Sequence, residues 1–461
     1  MSETTKALEE KLFFSPKKAY GKDGLTDRAK ADEYAEGYID FLNSAKTERE
    51  AVTKGIAMAK AAGFSEYHFG DKLVSGGRYF YNNRGKSLYV FCIGSDNPEK
   101  GIKISASHVD CPRLDLKPCP LYEDSGIAYL KTHYYGGIKK YQWVTIPLAL
   151  HGVIVKNNGE SVDVRIGDDE SDPVLYISDI LPHLAKDQNS RSMGDGIPGE
   201  KLNIIIGTEP YGEDGSVKLN IMNILNEKYG ITEEDFISAE LCAVPAEKAR
   251  FIGLDKSLIG GYGHDDRVCS YPALTAVIDA AGGANTVMAV FADKEEVGSI
   301  GATGMQSDVL DDLIEEIASA FGANVHTVRE HSSCLSADVN AAYDPNFAEA
   351  YERRNSCFVN GGVVLTKYTG SRGKSGSNDA SAEFVAKVRK VFEDSGVVWQ
   401  IGELGKVDQG GGGTVALYIA QKNIDTVDLG VPVLSMHAPY ECISKSDLYN
   451  TYKAFLAFNK A

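Results

Sequence analysis

The sequence has few features of secreted, membrane or redox proteins. Its eight cysteines are scattered and form no Cys-x-x-Cys pair, which disfavours a zinc ribbon, a redox motif and a disulfide scaffold. The longest apolar run, Trp143 to Val155, contains Pro147 and His151 and is shorter than the ~20 residues that a membrane helix needs. The cysteines are therefore expected to be reduced core thiols, and no membrane-spanning segment is expected.

The sequence also lacks a basic region. Lys and Arg total 48 against 65 Asp and Glu, so the formal charge is −17. This balance argues against binding to the phosphate backbone of a nucleic acid. The first residues, MSETTKALEEKLFF, carry acidic side chains where a secretory signal needs a basic stretch followed by a long apolar one. We therefore expect a cytoplasmic protein without a nucleic-acid partner.

Two domains are expected because 461 residues exceed what one compact core usually holds. Residues 114–254 contain short alternating runs separated by turn signals such as N157-N-G, which predicts an antiparallel β-rich unit. Residues 1–113 and 255–461 alternate helix and strand patterns, which predicts an α/β/α sandwich. The β-rich unit is thus predicted to be a second domain inserted into the sandwich domain.

Periodicity also predicts individual elements of the sandwich. Helix dominates residues 26–63, and buried strands follow at 87–94 and 101–107. The later elements are predicted as a helix that begins at Asp265, a strand over 286–293, a helix over 307–321, a strand that ends at Asp338, a helix over 378–394, a strand near 397–402 and a helix over 447–459 with Ser446 as its N-cap.

Side chains that divalent metals favour stand where apolar runs meet Gly-rich or Asp-rich turns. They are His108, Asp265, Glu296, Asp338 and His437. Taken singly, each has a structural alternative, such as a core histidine, a helix cap or a solvated turn. Taken together in one domain, they predict a two-metal hydrolase site. Mixed nitrogen and oxygen ligands without thiolate suit Zn²⁺, with Mn²⁺ or Co²⁺ as substitutes.

Two further carboxylates complete the predicted site. Glu295 directly precedes Glu296. Two neighbouring glutamates can have different roles, one as a metal ligand and the other as the base that takes a proton from water. Asp110 follows His108 by two residues, where its carboxylate would accept the other ring N–H and select the tautomer. In this interpretation Asp265 begins a helix, whose N-terminus would hold the carboxylate.

Two cysteines, Cys111 and Cys269, lie close in sequence to the proposed ligands. A catalytic thiol is therefore an alternative role. Neither cysteine has a helix-start or basic setting that would lower its pKa, so packing is the favoured role.

The motifs S107-H-V-D110, H264-D-D-R, D293-K-E-E-V-G-S, S336-A-D and S435-M-H437 closely resemble the metal-site motifs of the M18 aminopeptidases, the aspartyl aminopeptidase family. The related M42 aminopeptidases are the second resemblance. The order of the motifs and the position of the β-rich unit also match, so the resemblance covers nearly the whole chain. It implies an aminopeptidase that removes N-terminal residues from peptides with two divalent metals per subunit. It also implies that residues 1–113 and 255–461 form a catalytic domain of the zinc-peptidase type and that residues 114–254 form an inserted domain for oligomerisation and substrate gating.

The resemblance also implies roles for single residues. Asp265 would bridge two metals, His108 and Asp338 would complete one position, and Glu296 and His437 would complete the other. Glu295 would be the general base that takes a proton from water and returns it to the leaving amine, and Asp110 would be the partner of His108.

Further implications concern assembly and specificity. The segment I179-L-P-H183 looks like the one from which M18 enzymes present a histidine to a neighbouring active site, so His183 would contact substrate. Dimers assembling into a tetrahedral dodecamer are expected. Lys367 or Lys374 would read an acidic substrate side chain, and either lysine has the alternative of being a surface residue.

The chain also departs from the family pattern. M18 members usually have Leu-Asp-Asn where this chain has His264, Asp265 and Asp266, which leaves Asp266 as an alternative ligand. Ala341 stands where the family tends to have histidine. Two other functions stay open at this point, a related metal amidohydrolase or carboxypeptidase and a catalytically silent assembly protein.

Overall fold

A computed structural model describes residues 3–21 and 24–461 of the chain. Residues 1 and 2, which belong to the N-terminal segment used above to disfavour a secretory signal, lie outside the described residues, as do residues 22 and 23. The α-helices are α1 (Glu3–Leu12), α2 (Arg28–Ser44), α3 (Glu48–Ala61), α4 (Lys186–Asn189), α5 (Val217–Tyr229), α6 (His264–Ala280), α7 (Val309–Ala320), α8 (Val325–His331), α9 (Ala382–Asp394), α10 (Ala416–Ala420) and α11 (Lys445–Lys460).

The strands form three sheets. They are β1 (Ser65–Glu66), β2 (Arg78–Asn83), β3 (Ser87–Cys92), β4 (Ile102–His108), β5 (Arg113–Asp124), β6 (Ile127–Tyr135), β7 (Leu148–Val155), β8 (Ser161–Ile166), β9 (Ile204–Gly207), β10 (Ala239–Pro245), β11 (Arg250–Ile252), β12 (Leu258–Gly261), β13 (Thr286–Ala292), β14 (Ser333–Ala337), β15 (Asn340–Ala341), β16 (Val363–Thr366), β17 (Trp399–Ile401), β18 (Asp425–Gly430), β19 (Pro432–Leu434) and β20 (Glu441–Ser444).

The largest sheet has nine strands in the order β1-β2-β3-β13-β4-β14-β18-β16-β17. Its neighbours β13, β4, β14 and β18 are parallel, so their carboxyl ends meet at one edge. All seven residues of β13 are buried. Such continuous apolar strands are typical of a sheet that is covered on both faces.

Helices cover both faces of this sheet. One core contains buried side chains of α2, α3, α6, α9 and α11, and the other contains those of α7, α8 and the end of α10. Helix α7 illustrates how hydrophobic spacing places a helix on the sheet. Its apolar residues recur at three- and four-residue spacing on one buried face, which contains Val309, Leu310, Leu313, Ile314 and Ile317. The structure confirms the expected α/β/α sandwich.

A six-stranded sheet lies outside this sandwich and has its own core. Its order is β8-β7-β10-β5-β6-β9, all neighbours are antiparallel, and every strand comes from residues 113–245. A smaller five-stranded sheet, β11-β12-β20-β19-β15, joins chain segments that are distant in sequence. The division of the chain into two domains stays a prediction.

Several element boundaries differ from those predicted. The helical segment predicted over 26–63 is two helices, with a new N-cap at Thr47. The last helix begins at Lys445 and is capped by Ser444, whose hydroxyl accepts a hydrogen bond from the backbone N–H of Ser446, the predicted cap. Helix α9 begins at Ala382 instead of residue 378.

All eight cysteines are free, and six of them are buried. The expectation of core thiols therefore holds for these six, whereas Cys119 is exposed and Cys442 is half-buried. Among residues 3–21 and 24–461, no helix combines the length and the apolar character that crossing a membrane requires.

Candidate metal centre

Three of the parallel strands deliver polar side chains to one edge of the nine-stranded sheet. His108 is the last residue of β4, paired with Ala292 at the end of β13. Glu295 and Glu296 follow β13, and Asp338 follows β14. Because the carboxyl ends of parallel strands share an edge, these side chains converge there.

Asp265 and His437 arrive by a different route, through the five-stranded sheet. Strand β12 leads into Asp265, and it pairs with β20 so that Gly261 lies opposite Glu441. The Glu441 carboxylate accepts a hydrogen bond from the backbone N–H of Asp265 at 3.1 Å and another from that of His437 at 2.8 Å. One buried carboxylate therefore holds both residues in place.

The carboxylate of Asp265 lies between the two histidines. Its Oδ1 is 3.2 Å from His108 Nε2, and its Oδ2 is 3.1 Å from His437 Nε2. Asp338 Oδ1 lies 3.8 Å from His108 Nε2, and Glu296 Oε1 lies 3.5 Å from His437 Nε2. Two groups of candidate ligands thus share Asp265, with His108 and Asp338 on one side and His437 and Glu296 on the other.

Glu295 also belongs to the cluster. Its Oε2 is 3.9 Å from His108 Nε2, and the ligand atoms of His108, Glu295 and Asp338 lie within 4.8 Å of one another. The same limit holds for His108, Asp265 and Glu296. The Glu295 side chain keeps 16% of its surface exposed, so solvent reaches it.

Asp266, the alternative ligand, has a different environment. It is fully buried, and its Oδ2 accepts a hydrogen bond from the backbone N–H of His108 at 3.3 Å. Asp265 and Asp266 both have non-helical backbone angles, so regular helix begins only at Arg267. The expectation that a helix N-terminus holds the Asp265 carboxylate is therefore wrong, and the backbone directs that carboxylate into the cluster.

The crowding of carboxylates shifts their pKa values. Burial and the charge of Asp338 raise the pKa of Glu295 to about 8. Burial and the charge of Asp265 raise the pKa of Glu296 well above its usual value. Burial by itself would lower the pKa of His437, but the hydrogen bond and charge of Asp265 raise it to about 10. The cluster therefore carries repulsive negative charge that a cation would relieve.

Two carboxylate oxygens of the cluster are placed as expected for atoms that bind a cation. Within the described residues, Asp265 Oδ1 and Glu296 Oε1 are buried and have no hydrogen-bond partner. Buried carboxylate oxygens without a donor are costly unless a cation is present. Together with the two imidazoles they form the mixed nitrogen and oxygen set that Zn²⁺ accepts, so the residues fit divalent metals.

Asp110 is placed differently from the sequence-based expectation. The ring Nδ1 of His108 lies 2.9 Å from the backbone oxygen of Asp110 and 3.5 Å from its carboxylate. The carboxylate instead accepts the backbone N–H groups of Glu295 at 3.1 Å and Glu296 at 3.2 Å. Asp110 therefore contacts both the histidine and the turn that carries the two glutamates.

Sequence reasoning missed three residues that support the cluster. Glu441 holds Asp265 and His437, as described above. The backbone oxygen of Gly137 lies 2.7 Å from His437 Nδ1, and the Tyr135 hydroxyl donates to Asp110 Oδ2 at 2.9 Å. These contacts span between 25 and 300 residues of sequence, so no local pattern signals them.

The chain does not bring the two predicted substrate-binding residues into this cluster. His183 is exposed in a short 3₁₀-helix, residues 182–184. Lys367 pairs with Asp379 at 2.5 Å. Lys367 follows Thr366, which lies opposite Asp428 in the antiparallel pair β16–β18. The chain at Lys367 therefore runs toward the amino end of β18. Asp338 lies at the other end, because β14 is parallel to β18 and Asp338 follows its last residue.

Fold and site together define a class, the α/β hydrolytic enzymes with a carboxylate–histidine metal centre at the edge of a sheet. Residues 41–459 match the family model described as aminopeptidase I zinc metalloprotease (M18). The chain belongs to this M18 family. It is therefore a metal-dependent aminopeptidase, a hydrolase that removes N-terminal residues from peptides, which confirms the resemblance seen in the motifs.

Known relatives cover almost the whole chain. A probable M18 family aminopeptidase 1 from Clostridium acetobutylicum is 48% identical over 449 residues, 95% of this chain and 97% of the relative. The crystal structure of an M18 family aminopeptidase from Thermotoga maritima matches with a TM-score of 0.92 at 42% identity, covering 97% of this chain and 100% of the other.

A more distant structure shares the fold. It is described as the S. cerevisiae mApe1 dodecamer and matches with a TM-score of 0.77 at 23% identity, covering 93% of this chain and 97% of the other.

Proposed function

We propose that the aminopeptidase uses two divalent metals per subunit, most simply Zn²⁺, held by His108, Asp265, Asp338, Glu296 and His437. The observation that carries this proposal is the position of the Asp265 carboxylate, with one oxygen 3.2 Å from His108 Nε2 and the other 3.1 Å from His437 Nε2. A carboxylate with two divergent oxygens suits a bridge between cations. Mn²⁺ and Co²⁺ are alternatives, since the ligand set does not select among them.

The roles of the protein groups follow from their positions. When bound, the metals polarise the scissile carbonyl and acidify water. Glu295, near both His108 and Asp338 and open to solvent, takes the proton from the attacking water and returns it to the leaving amine. Asp110 holds Glu295 and Glu296 through their backbone N–H groups.

A preference for acidic N-terminal residues is part of the proposal, and its support is the family resemblance alone. Lys367 is the residue proposed to read the substrate side chain. Both Lys367 and Lys374 pair with Asp379 in this chain, at 2.5 Å and 2.9 Å. A substrate carboxylate would have to compete with Asp379 for either lysine.

We also propose a homo-oligomer of dimers assembled into a tetrahedral dodecamer, in which His183 contacts substrate in a neighbouring subunit. A distant relative of the same fold is described as a dodecamer. His183 is flanked by the exposed apolar residues Ile180, Leu181 and Leu184, a pattern that favours burial against a partner.

A cytoplasmic location is proposed because all eight cysteines are free thiols.

The experiment that tests the proposal is mass spectrometry of a mixed peptide library incubated with the purified protein. Peptides with free and with acetylated N-termini are compared, with added Zn²⁺, Mn²⁺ or Co²⁺ and with a chelator. Stepwise loss from free N-termini only, abolished by the chelator, is the expected result, and the products reveal the preferred residue. Trimming from the C-terminus would instead indicate a carboxypeptidase, and no cleavage with any metal would overturn the proposal.

A further inference from the structure

A loop from the six-stranded sheet reaches the metal centre. Strand β6 ends at Tyr135, and the next residues, Gly136 and Gly137, continue toward the cluster. The Gly137 backbone oxygen lies 2.7 Å from His437 Nδ1. Gly136 lies so close to Glu296 that a Cβ at this position would stand 2.9 Å from Glu296 Oε2. The loop therefore contacts two of the proposed ligands from outside the sandwich.

Tyr135 makes the third contact, and it acts through Asp110. The Tyr135 hydroxyl donates a hydrogen bond to Asp110 Oδ2 at 2.9 Å. Asp110 is completely buried, and its two oxygens accept the backbone N–H groups of Glu295 and Glu296. A shift of this carboxylate would move the backbone that carries both glutamates.

The ring of Tyr135 is itself held in place. The Arg113 guanidinium stacks over it with its Cζ 4.2 Å from the ring centroid. Arg113 in turn donates to Glu48 of α3 at 2.8 Å and to Asp115 of β5 at 2.7 Å. A cation over an aromatic face, anchored by two carboxylates, restricts the ring to one position. The hydroxyl of Tyr135 is thus set by both the sandwich and the six-stranded sheet.

We propose that Tyr135 is a positioning residue for peptide hydrolysis, which orients Asp110 so that Glu295 is held at the distance from the substrate carbonyl that proton transfer requires. The inference rests on the proposed role of Glu295. Its physical basis is that outer partners of a metal site typically contribute about 10- to 100-fold to activity or metal affinity. Small misplacements of a reacting group have costs of similar size.

The test compares Tyr135→Phe with the wild type as metal-loaded holoenzyme. The variant keeps the ring under Arg113 and loses only the hydroxyl. We expect kcat to fall about 10- to 100-fold while KM stays within about twofold, since substrate binding is unchanged. Metal content per chain and the thermal midpoint should match the wild type. Tyr134→Phe removes the hydroxyl of the exposed neighbour and is the matched control with wild-type kcat.

A double variant separates positioning from a general structural role. If Tyr135 acts through Asp110, then Tyr135→Phe combined with Asp110→Asn should lower kcat no further than Asp110→Asn alone. Additive losses would overturn the inference, as would a wild-type kcat in Tyr135→Phe or a loss of metal that accounts for its lower kcat. If the wild type is active and Tyr135→Phe leaves kcat unchanged, only this inference is wrong. If the wild type itself has no peptidase activity, the proposed function is wrong and this inference with it.

Discussion

The two ends of the metal centre are built differently. At one end His108 is the last residue of the interior strand β4, and only 1% of its side chain is exposed. At the other end His437 follows the short strand β19, has a left-handed backbone with φ of 64°, and keeps 35% of its side chain exposed. We call them the buried end and the open end.

The difference shows how much of each end depends on distant parts of the molecule. His108 cannot move without disturbing β4, which pairs on both sides with parallel strands. His437 is held by the Glu441 carboxylate and by the backbone oxygen of Gly137, which belongs to the loop after β6. Metal affinity at the open end should therefore depend more strongly on the seating of the six-stranded sheet than affinity at the buried end, which that sheet reaches only through Tyr135 and Asp110.

Removing the residue that both ends share should have the largest effect on metal binding and turnover. Asp265→Ala should lower metal content to well below one per chain, because each end loses an oxygen ligand. Turnover should fall by more than the ~10⁴-fold that loss of a general base alone can cause. Metal content by elemental mass spectrometry and kcat check this. Asp279→Ala, an exposed carboxylate of the same helix, is the control, and a variant that still holds two metals would contradict the bridging role.

The next largest effect leaves both ends intact. Glu295→Gln should lower kcat by about 10²- to 10⁴-fold with unchanged metal content, because the amide cannot take a proton from water. Kinetics with metal analysis of the same sample provide the test. Near-normal turnover would show that another group is the base.

A chelator titration measures the difference in metal affinity between the buried end and the open end. The wild type should lose metal in two steps, with the open end releasing its metal at a chelator concentration about tenfold or more below that of the buried end. His437→Ala should lack the first step and keep the second. His133→Ala, an exposed histidine of β6, should behave as the wild type, and a single cooperative release in the wild type would remove the distinction between the ends.

The smallest expected effect concerns the seat of the six-stranded sheet. The buried ring of His151 in β7 contacts Glu50 of α3 at 2.9 Å and Asp168 at 3.1 Å. Lys46 also pairs with Asp168, and Arg165 with Glu50. Burial opposes a charged His151, but the hydrogen bonds that its ring donates to the carboxylates of Asp168 and Glu50 raise its pKa above the usual value. Burial likewise opposes ionised Asp168, yet His151 lowers the pKa of Asp168 to about 2.

The sign of the pH effect follows from these directions. A histidine with a raised pKa in the folded state stabilises fully below its unfolded pKa of about 6.5, and this contribution is lost as the pH rises through the folded value. The carboxylate contribution is present above about 4 and lost below it. His151→Gln should therefore lower the thermal midpoint by more at pH 5.5 than at pH 9, by an extra shift on the order of 1 °C. His68→Gln, which changes an exposed histidine, is the control and should keep the wild-type midpoint at each pH value.

Sequence patterns predicted the buried end better than the open end. The run that ends at His108 and the run before Glu295 are continuous and apolar, and both are buried strands that end within about two residues of the predicted positions. The backbone conformation of Asp265 was harder to predict, because the residues His264, Asp265 and Asp266 precede a regular helix and resemble its first turn. Its extended backbone is set by a hydrogen bond to Glu441, 176 residues later.

The supports of the open end left no local signal. Gly137 contributes through a backbone oxygen, which every residue possesses, and its partner lies 300 residues away. Tyr135 looks like one more aromatic residue in the alternating pattern of β6. Their roles emerge only once the sheets are packed, because they depend on where the loop after β6 stops relative to β13 and β19. The predicted roles of His183 and Lys367 stay predictions, since they depend on a partner subunit and on substrate.

The strand order of the nine-stranded sheet has a consequence for biosynthesis. Strand β18, residues 425–430, lies between β14 and β16, and His437 is made after it. Domains of a growing chain fold as units from the N-terminus at about 5–20 residues per second. The six-stranded sheet, all from residues 113–245, can form early on the ribosome, whereas the middle of the large sheet must wait for its late strand. A nascent chain therefore cannot complete the proposed metal centre until β18 and His437 have both been translated.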